Sequence, residues 1–285
     1  MIDVARGTFV RGRWPRLGSA RRLPGAEKLG FALFAVLVAL ALLAPLIASD
    51  PTVAVADSFA PASLSHPLGT DDIGQDVFAR VLYGMRTSLV AAAIVIAFGV
   101  LVGGTIGLVA GARGGFVDAL LMRITDIALA LPGPVMAIAI VAALGPSLRN
   151  TVVAVALVWW PWYARLIRGE VRALAARPHV DAARLAGVSR RRLLLRHLLP
   201  GALPPVIVAA SLDIQILVLT LAGLSFLGLG SPPPAPELGA MAARGVDYLF
   251  GYPLVPLAPG LAVFLIAVAA NLAGDGVRDL FDDRS

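Results

Sequence analysis

The sequence contains no cysteine. That removes disulfides, thiolate metal sites and a cysteine nucleophile at once. Charge is scarce: Asp, Glu, Lys and Arg make up 15% of the chain, against about 25% in soluble domains. The histidines are His66, His179 and His197, too far apart for a helical His-x-x-x-His metal pair. The glycine-rich run from Gly99 to Gly111 lacks the Gly-Lys-Ser/Thr ending of a phosphate loop, so this chain is not expected to bind or hydrolyse ATP. Asp71, Asp72 and Asp76 lack the alternating spacing and terminal glutamate of a calcium loop, and helix capping or solvated charge is the simpler role. No catalytic residue, cofactor or metal is therefore expected.

What remains is apolar. Of the 285 residues, 58% are hydrophobic, which points to an all-α membrane protein. The net charge of +6 is better explained by orientation in a bilayer than by nucleic acid, so membrane lipid and no nucleic acid is the expectation. Six stretches suit transmembrane helices: Leu29–Ala48, Ser88–Ala110, Ile124–Leu144, Thr151–Ile167, Leu203–Leu227 and Val255–Ala273. Each approaches the ~20 residues that cross a ~30 Å hydrocarbon core. Pro132-Gly133-Pro134 interrupts the third, a break that neighbouring helices can satisfy. The first apolar run is too long, and its basic tail too extended, for a signal peptide, so an uncleaved anchor is expected.

Arginine sets the expected orientation. Arg6, Arg11, Arg13, Arg16, Arg21, Arg22 and Lys28 precede the first span, Arg165 to Arg196 crowd the fourth connection, and Arg278 and Arg284 follow the last span. The other side holds only Arg80, Arg86, Arg149 and Arg244. The positive-inside rule then places both termini and the arginine-rich connection in the cytoplasm.

That connection, VDAARLAGVSRRRLLLRHLLP from Val180 to Pro200, is the polar insert in an otherwise apolar chain. Pro178 suits a first helical turn. Ala182 and Ala183 keep one surface thin, so another protein can approach. Gly187 suits a left-handed helix ending, and Ser189 can cap the next helix. Leu194, Leu195, Leu198 and Leu199 are expected on one face and Arg192 and Arg196 on another, with Pro200 closing the segment.

The order Asp181, Ala182, Ala183, Gly187, Leu199, Pro200 resembles the EAA loop of ABC-importer permeases. Three further segments extend the resemblance: His66-Pro67-Leu68-Gly69-Thr70-Asp71, Leu224-Ser225-Phe226-Leu227-Gly228 and Asn271-Leu272-Ala273-Gly274-Asp275. Together they are similar to the second permease subunit of the dipeptide/oligopeptide/nickel branch, over about Ala26 to Arg284. The resemblance implies a type I importer permease fold with six transmembrane helices. It divides the chain into a cytoplasmic tail (1–28), an anchor helix (29–49), an extracytoplasmic loop (50–86), a five-helix core (87–276) with the EAA loop at 169–202, and a tail (277–285). It assigns Asp181, Ala182, Ala183, Gly187, Ser189, Leu199 and Pro200 to ATPase coupling through a cytoplasmic coupling helix. It implies a homologous permease subunit, two ATP-binding cassette ATPase subunits and an extracytoplasmic solute-binding protein as partners. The cargo would be small peptides, with nickel chelates or glutathione as alternatives. Departures are Asp181 for the usual glutamate, His197 for the isoleucine of the general motif, Gln75 for arginine, and Leu238 for tryptophan.

Within the fifth span Asp213 breaks the apolar pattern, with Gln215 nearby. Such groups face a cavity or a partner. A hydrogen bond to a neighbouring helix and a place on the translocation path are both open. Trp159, Trp160 and Trp162 surround Pro161; Trp159 and Trp162 are candidates to line the path, against packing around a kink. An ion-coupled secondary transporter is the rival class, but it would show several intramembrane charges and matching broken helices.

Overall fold

The computed structural model describes residues 25–282. The arginines from Arg6 to Arg22, and Arg284, lie outside the described residues. The described chain is helical: α1 (Gly25–Ile47), α2 (Val77–Phe98), α3 (Gly104–Arg113), α4 (Gly115–Ala128), α5 (Gly133–Leu144), α6 (Leu148–Ala175), α7 (Pro178–Leu185), α8 (Arg190–Leu193), α9 (Leu199–Leu224), α10 (Leu238–Gly245) and α11 (Leu254–Asp282). Among the described residues the only β pairing is two isolated bridges, Ala54 with Gln75 and Thr70 with Asp76. π turns at Gly99–Gly103, Leu194–Leu198 and Ser225–Leu229 join or extend helices. One end of the molecule carries α7 and α8, here called the hairpin end; the far end carries residues 48–76 and α10.

Four helical runs are long and apolar enough to cross a membrane: Gly25–Ile47, Val77–Arg113, Arg190–Leu229 and Leu254–Phe281. Counted as one broken span, the bent pair α4 and α5 makes a fifth. The expected count of six needs α6 as well. At 28 residues it is long enough, but Trp159, Trp160, Trp162 and its basic second half dilute its hydropathy.

Three boundaries differ from expectation. The helix that carries the second span starts at Val77, ahead of the apolar stretch from Ser88, because Asp76 caps it by accepting from the Phe78 N–H at 2.9 Å. The third span is not one helix from Ile124. It is α4 from Gly115 and α5, bent by 74°, since each residue before Pro132 and Pro134 is pushed away from helical geometry. Finally, Pro200 does not close the hairpin. Arg190–Leu229 is a continuous helical run of 40 residues. A helical proline collides with the carbonyl four residues back; for Pro200 that residue is Arg196, inside the wider π turn Leu194–Leu198. The π turn also rotates the leucines. Leu193 and Leu198, five apart, are buried, whereas Leu195 is 46% exposed.

Packing relies on small residues, as expected where lipid removes the hydrophobic drive between helices. Gly99, Gly103, Gly107 and Gly111 form a stripe along α2–α3 at four-residue spacing. A Cβ at Gly103 or Gly107 would run into the Trp160 or Ala164 carbonyl of α6, and one at Gly99 into the Tyr163 ring.

The buried residues form two clusters. The larger one, toward the far end, draws Val77, Leu82, Met85, Val95, Val141, Val155, Leu217, Leu238 and Ile266 from α2, α5, α6, α9, α10 and α11. The smaller, toward the hairpin end, contains Tyr163, Ile167, Val171, Val180, Leu193, Leu198 and Val206. Trp159 packs against both.

Candidate functional site

The hairpin is built by local rules. Pro178 opens α7 in the first turn. At its other end Gly187 has φ +75°. The Val188 N–H donates to the Ala183 carbonyl at 3.1 Å and the Gly187 N–H to the Arg184 carbonyl at 3.0 Å. This pair of bonds is the Schellman ending, which satisfies carbonyls the helix would otherwise leave open. The Ser189 hydroxyl then accepts from the Arg192 N–H at 3.4 Å, capping α8.

One residue anchors α7. Val180 is fully buried in the smaller cluster, between α6 and the helical run from Leu193. Ala183 is half-buried against the same cluster, so the two alanines are not equivalent. Ala182 and Ala186 face outward, and Leu185 is 90% exposed. The outward face is thus two methyls and one protruding leucine. Asp181 is exposed and pairs with Arg184 at 2.9 Å. Leu199 and Pro200 are half-buried at the start of α9, remote from that face in the chain.

Next to the hairpin, α6 is tied to α4 by ions. Asp118 is buried and accepts from Arg168 Nε at 2.5 Å and Nη2 at 2.7 Å, with Arg172 Nη1 at 3.3 Å. This forked geometry is the strong form of the pair. Arg165 and Asp126 add an exposed pair at 2.7 Å. Sequence reasoning had counted these arginines for orientation and missed their partners. The signal was available: Asp118 and Asp126 are eight apart, and Arg165, Arg168 and Arg172 follow helical three- and four-residue spacing, so each set shares a helix face.

Asp213 has a partner. Its Oδ2 accepts from Trp159 Nε1 at 2.9 Å. Tyr163 brings its buried hydroxyl near the same carboxylate without a hydrogen bond of good geometry. Gln215 Nε2 donates to Asn271 Oδ1 at 3.4 Å. Asp213 therefore links α9 to α6 where the two buried clusters meet, and Gln215 links α9 to α11. Trp162 is 51% exposed and stands apart from this group.

The far end holds the densest polar network, and the sequence did not announce it. Arg80 is 1% exposed. It donates to the Pro51 carbonyl at 2.9 Å, the Pro234 carbonyl at 3.2 Å and Gln75 Oε1, and lies 3.4 Å from Asp71 Oδ2. Asp71 in turn accepts from the backbone N–H of Ile73 and Gln75. Glu237, also buried, accepts from the Ser225 hydroxyl and from the Ser231 N–H at 2.6 Å. Nearby, Thr52 donates its hydroxyl and its N–H to Asp50, which holds that carboxyl below its ordinary range. Asp71 and Asp76 are thus occupied as a salt-bridge partner and a helix cap. Among the described residues no cluster suited to a metal ion is present.

The profile of the family "Binding-protein-dependent transport system inner membrane component" matches residues 103–285. The chain is 44% identical, over 79% of its length and 76% of the relative's, to a probable D,D-dipeptide transport system permease protein of Escherichia coli. It is 42% identical, over 78% and 74%, to a glutathione transport system permease protein of Pectobacterium atrosepticum. It is 38% identical, over 90% and 84%, to a dipeptide transport system permease protein of Alkalihalophilus pseudofirmus. Among solved structures, an inward-facing MetNI methionine ABC transporter chain superposes with TM-score 0.58 at 20% identity, covering 71% of this chain and 97% of that one; it speaks to the fold alone. With that fold, the apolar spans and relatives of this identity over most of its length, the chain belongs to the binding-protein-dependent transport system inner membrane components, the permease subunits of ABC importers.

Proposed function

We propose that this permease forms half of a translocation path for small peptides, the other half coming from a homologous permease subunit. Two ATPase subunits hydrolyse the ATP, and a solute-binding protein delivers cargo at the far end, which faces outward. Both termini and the hairpin are cytoplasmic. The peptide assignment follows the names of the relatives at 38–44% identity; glutathione, named for another, and nickel chelates are the alternatives.

The observation that carries the coupling assignment is the division of α7 into a bare outward face and one buried anchor, Val180. An ATPase surface can approach Ala182 and Ala186 closely and receive Leu185. Force applied there passes through Val180 to Ile167 and Val171 on α6 and Leu198 below α9. The Asp118–Arg168 fork carries the bent α4–α5 pair along with α6. Trp159, in contact with both clusters and bonded to Asp213, lies where α6 motion would reach the far-end half. Asp213 and Trp159 are assigned to holding that junction beside the path, Gln215 to the neighbouring α9–α11 contact, and Trp162 to the wall of the path.

The absence of native cysteine makes the test direct. In Leu185→Cys and Ser58→Cys variants, an impermeant thiol reagent added outside intact cells should label position 58 and not 185. In inside-out vesicles position 185 should label, and ATPase subunits should protect it. Labelling of 185 from outside would reverse the orientation; full labelling with the ATPases bound would remove α7 from their interface.

A further inference from the structure

At the far end, α2 and α6 present matching stripes. On α2, Arg86 is followed by Val90 and Ile94, both half or nearly half exposed; on α6, Arg149 is followed by Val153 and Leu157, exposed to a similar degree. In each helix the three residues are four apart and share one face. Between the stripes lies a groove of about 650 Å³ lined by Arg86, Val90, Ile94, Arg149, Val153 and Tyr83, among others. From Arg86 to Ile94 its apolar floor runs about 12 Å at 1.5 Å per residue.

The two arginines line one groove without a carboxylate to neutralise them, unlike the paired arginines of the fold. Arg80, Arg165, Arg168, Arg172 and Arg184 each have a carboxylate partner. Among the described residues neither the Arg86 nor the Arg149 side chain has an ion pair or hydrogen bond. No Asp or Glu lines the groove. It offers two guanidiniums at its rim, an apolar floor, and nothing to receive an ammonium group. Guanidinium forks match carboxylates, and the volume falls in the range of small-molecule sites.

We propose that this groove is a cargo subsite: Arg86 and Arg149 take the free carboxylate of a peptide released at the far end, and Val90, Ile94 and Val153 take an adjoining apolar side chain. The proposal rests on the peptide reading above. It adds a selection step in the permease for cargo with an anionic end, after release from the binding protein.

The test uses the complete importer with its binding protein, reconstituted in phosphatidylcholine vesicles with or without phosphatidylglycerol. Two probes are used: radiolabelled alanyl-phenylalanine for uptake, and alanyl-benzoylphenylalanine for photo-crosslinking. Wild-type uptake is measured first. If the wild type takes up no dipeptide, the peptide reading fails and the subsite falls with it. With wild-type uptake established, the Arg86→Gln/Arg149→Gln double variant should lose about tenfold in uptake and in crosslinks to the α2 and α6 stripes. The corresponding Lys double variant should stay within about threefold of wild type. Unchanged uptake in the Gln double variant would overturn the subsite and leave the peptide reading standing. Equal losses in the Gln and Lys variants would make the arginines structural and also overturn it. So would dependence of wild-type uptake on phosphatidylglycerol that vanishes with the Gln double variant, since a lipid headgroup would then be the occupant.

Discussion

The far-end network and the hairpin helix α7 are held by opposite means. At the far end Arg80 is buried and gathers Pro51, Asp71, Gln75 and Pro234, four positions spread over most of the chain. At the hairpin end α7 is fixed by Val180, a proline, a glycine ending and a serine cap, and its one ion pair is exposed. A buried charge network resists deformation, because moving any member strands the others. A capped helix on one apolar anchor can be displaced as a unit. The first arrangement suits a rigid frame, the second a lever of the kind proposed above for α7.

The sharpest way to break this comparison is at Arg80. Arg80→Met keeps the bulk but leaves Asp71 without its cation and three acceptors without a donor. Breaking a buried pair from one side costs about 3–5 kcal/mol. The variant should show a large drop in yield of folded permease and in its thermal midpoint in detergent. A midpoint within a degree or two of wild type would mean the network is not what holds the far end.

Gly187→Val comes next. Its φ of +75° costs a β-branched residue on the order of 1–3 kcal/mol, but the glycine has open space around its Cβ position, so the cost falls on the hairpin backbone alone. The permease should keep its thermal midpoint while ATPase association in a pull-down falls about tenfold. Loss of the whole fold would show that the hairpin is not the separable lever proposed.

Asp213→Leu tests the junction between the two ends. It removes a carboxyl group from an apolar span, which relieves desolvation, but leaves the half-buried Trp159 indole N–H unpaired at a cost of about 1 kcal/mol. These oppose each other, so the thermal midpoint should change little. Cargo uptake should fall several-fold, because α6 and α9 lose their bond where the two clusters meet. Undiminished uptake would return Asp213 to a merely tolerated acid.

The same contrast explains what was legible in the sequence. Pro178, Gly187 and Ser189 could be placed in advance because capping depends on residues within a few positions of one another. The Arg80 network could not, since Pro51 and Pro234 meet it only after the chain closes. Pro200 misled for a related reason: proline ends helices in isolation, but here a π turn and the packing of Leu193 and Leu198 carry the helix through. Asp213 stood out as a polar residue in an apolar span, yet its partner Trp159 lies 54 positions away and nothing local pointed to it. The bend between α4 and α5 was marked by Pro132-Gly133-Pro134; its 74° angle was not.

The smallest effect separates the two ends most cleanly. Asp181 stands at the acidic position of the EAA-like pattern, yet its carboxylate is spent on Arg184 one turn along, with both side chains about half exposed. Exposed pairs of this kind contribute about 0–1 kcal/mol. Asp181→Ala should therefore leave the thermal midpoint unchanged, in contrast to Arg80→Met. Asp181 also lies in the first turn of α7, where a negative charge suits the helix dipole by about 0.3–1 kcal/mol at low ionic strength. Its loss should weaken ATPase association by no more than about fivefold, and the difference should shrink as salt is raised, because both effects are screened. A loss as large as that of Gly187→Val, and independent of salt, would show that Asp181 makes a specific contact with the ATPase rather than serving the hairpin itself.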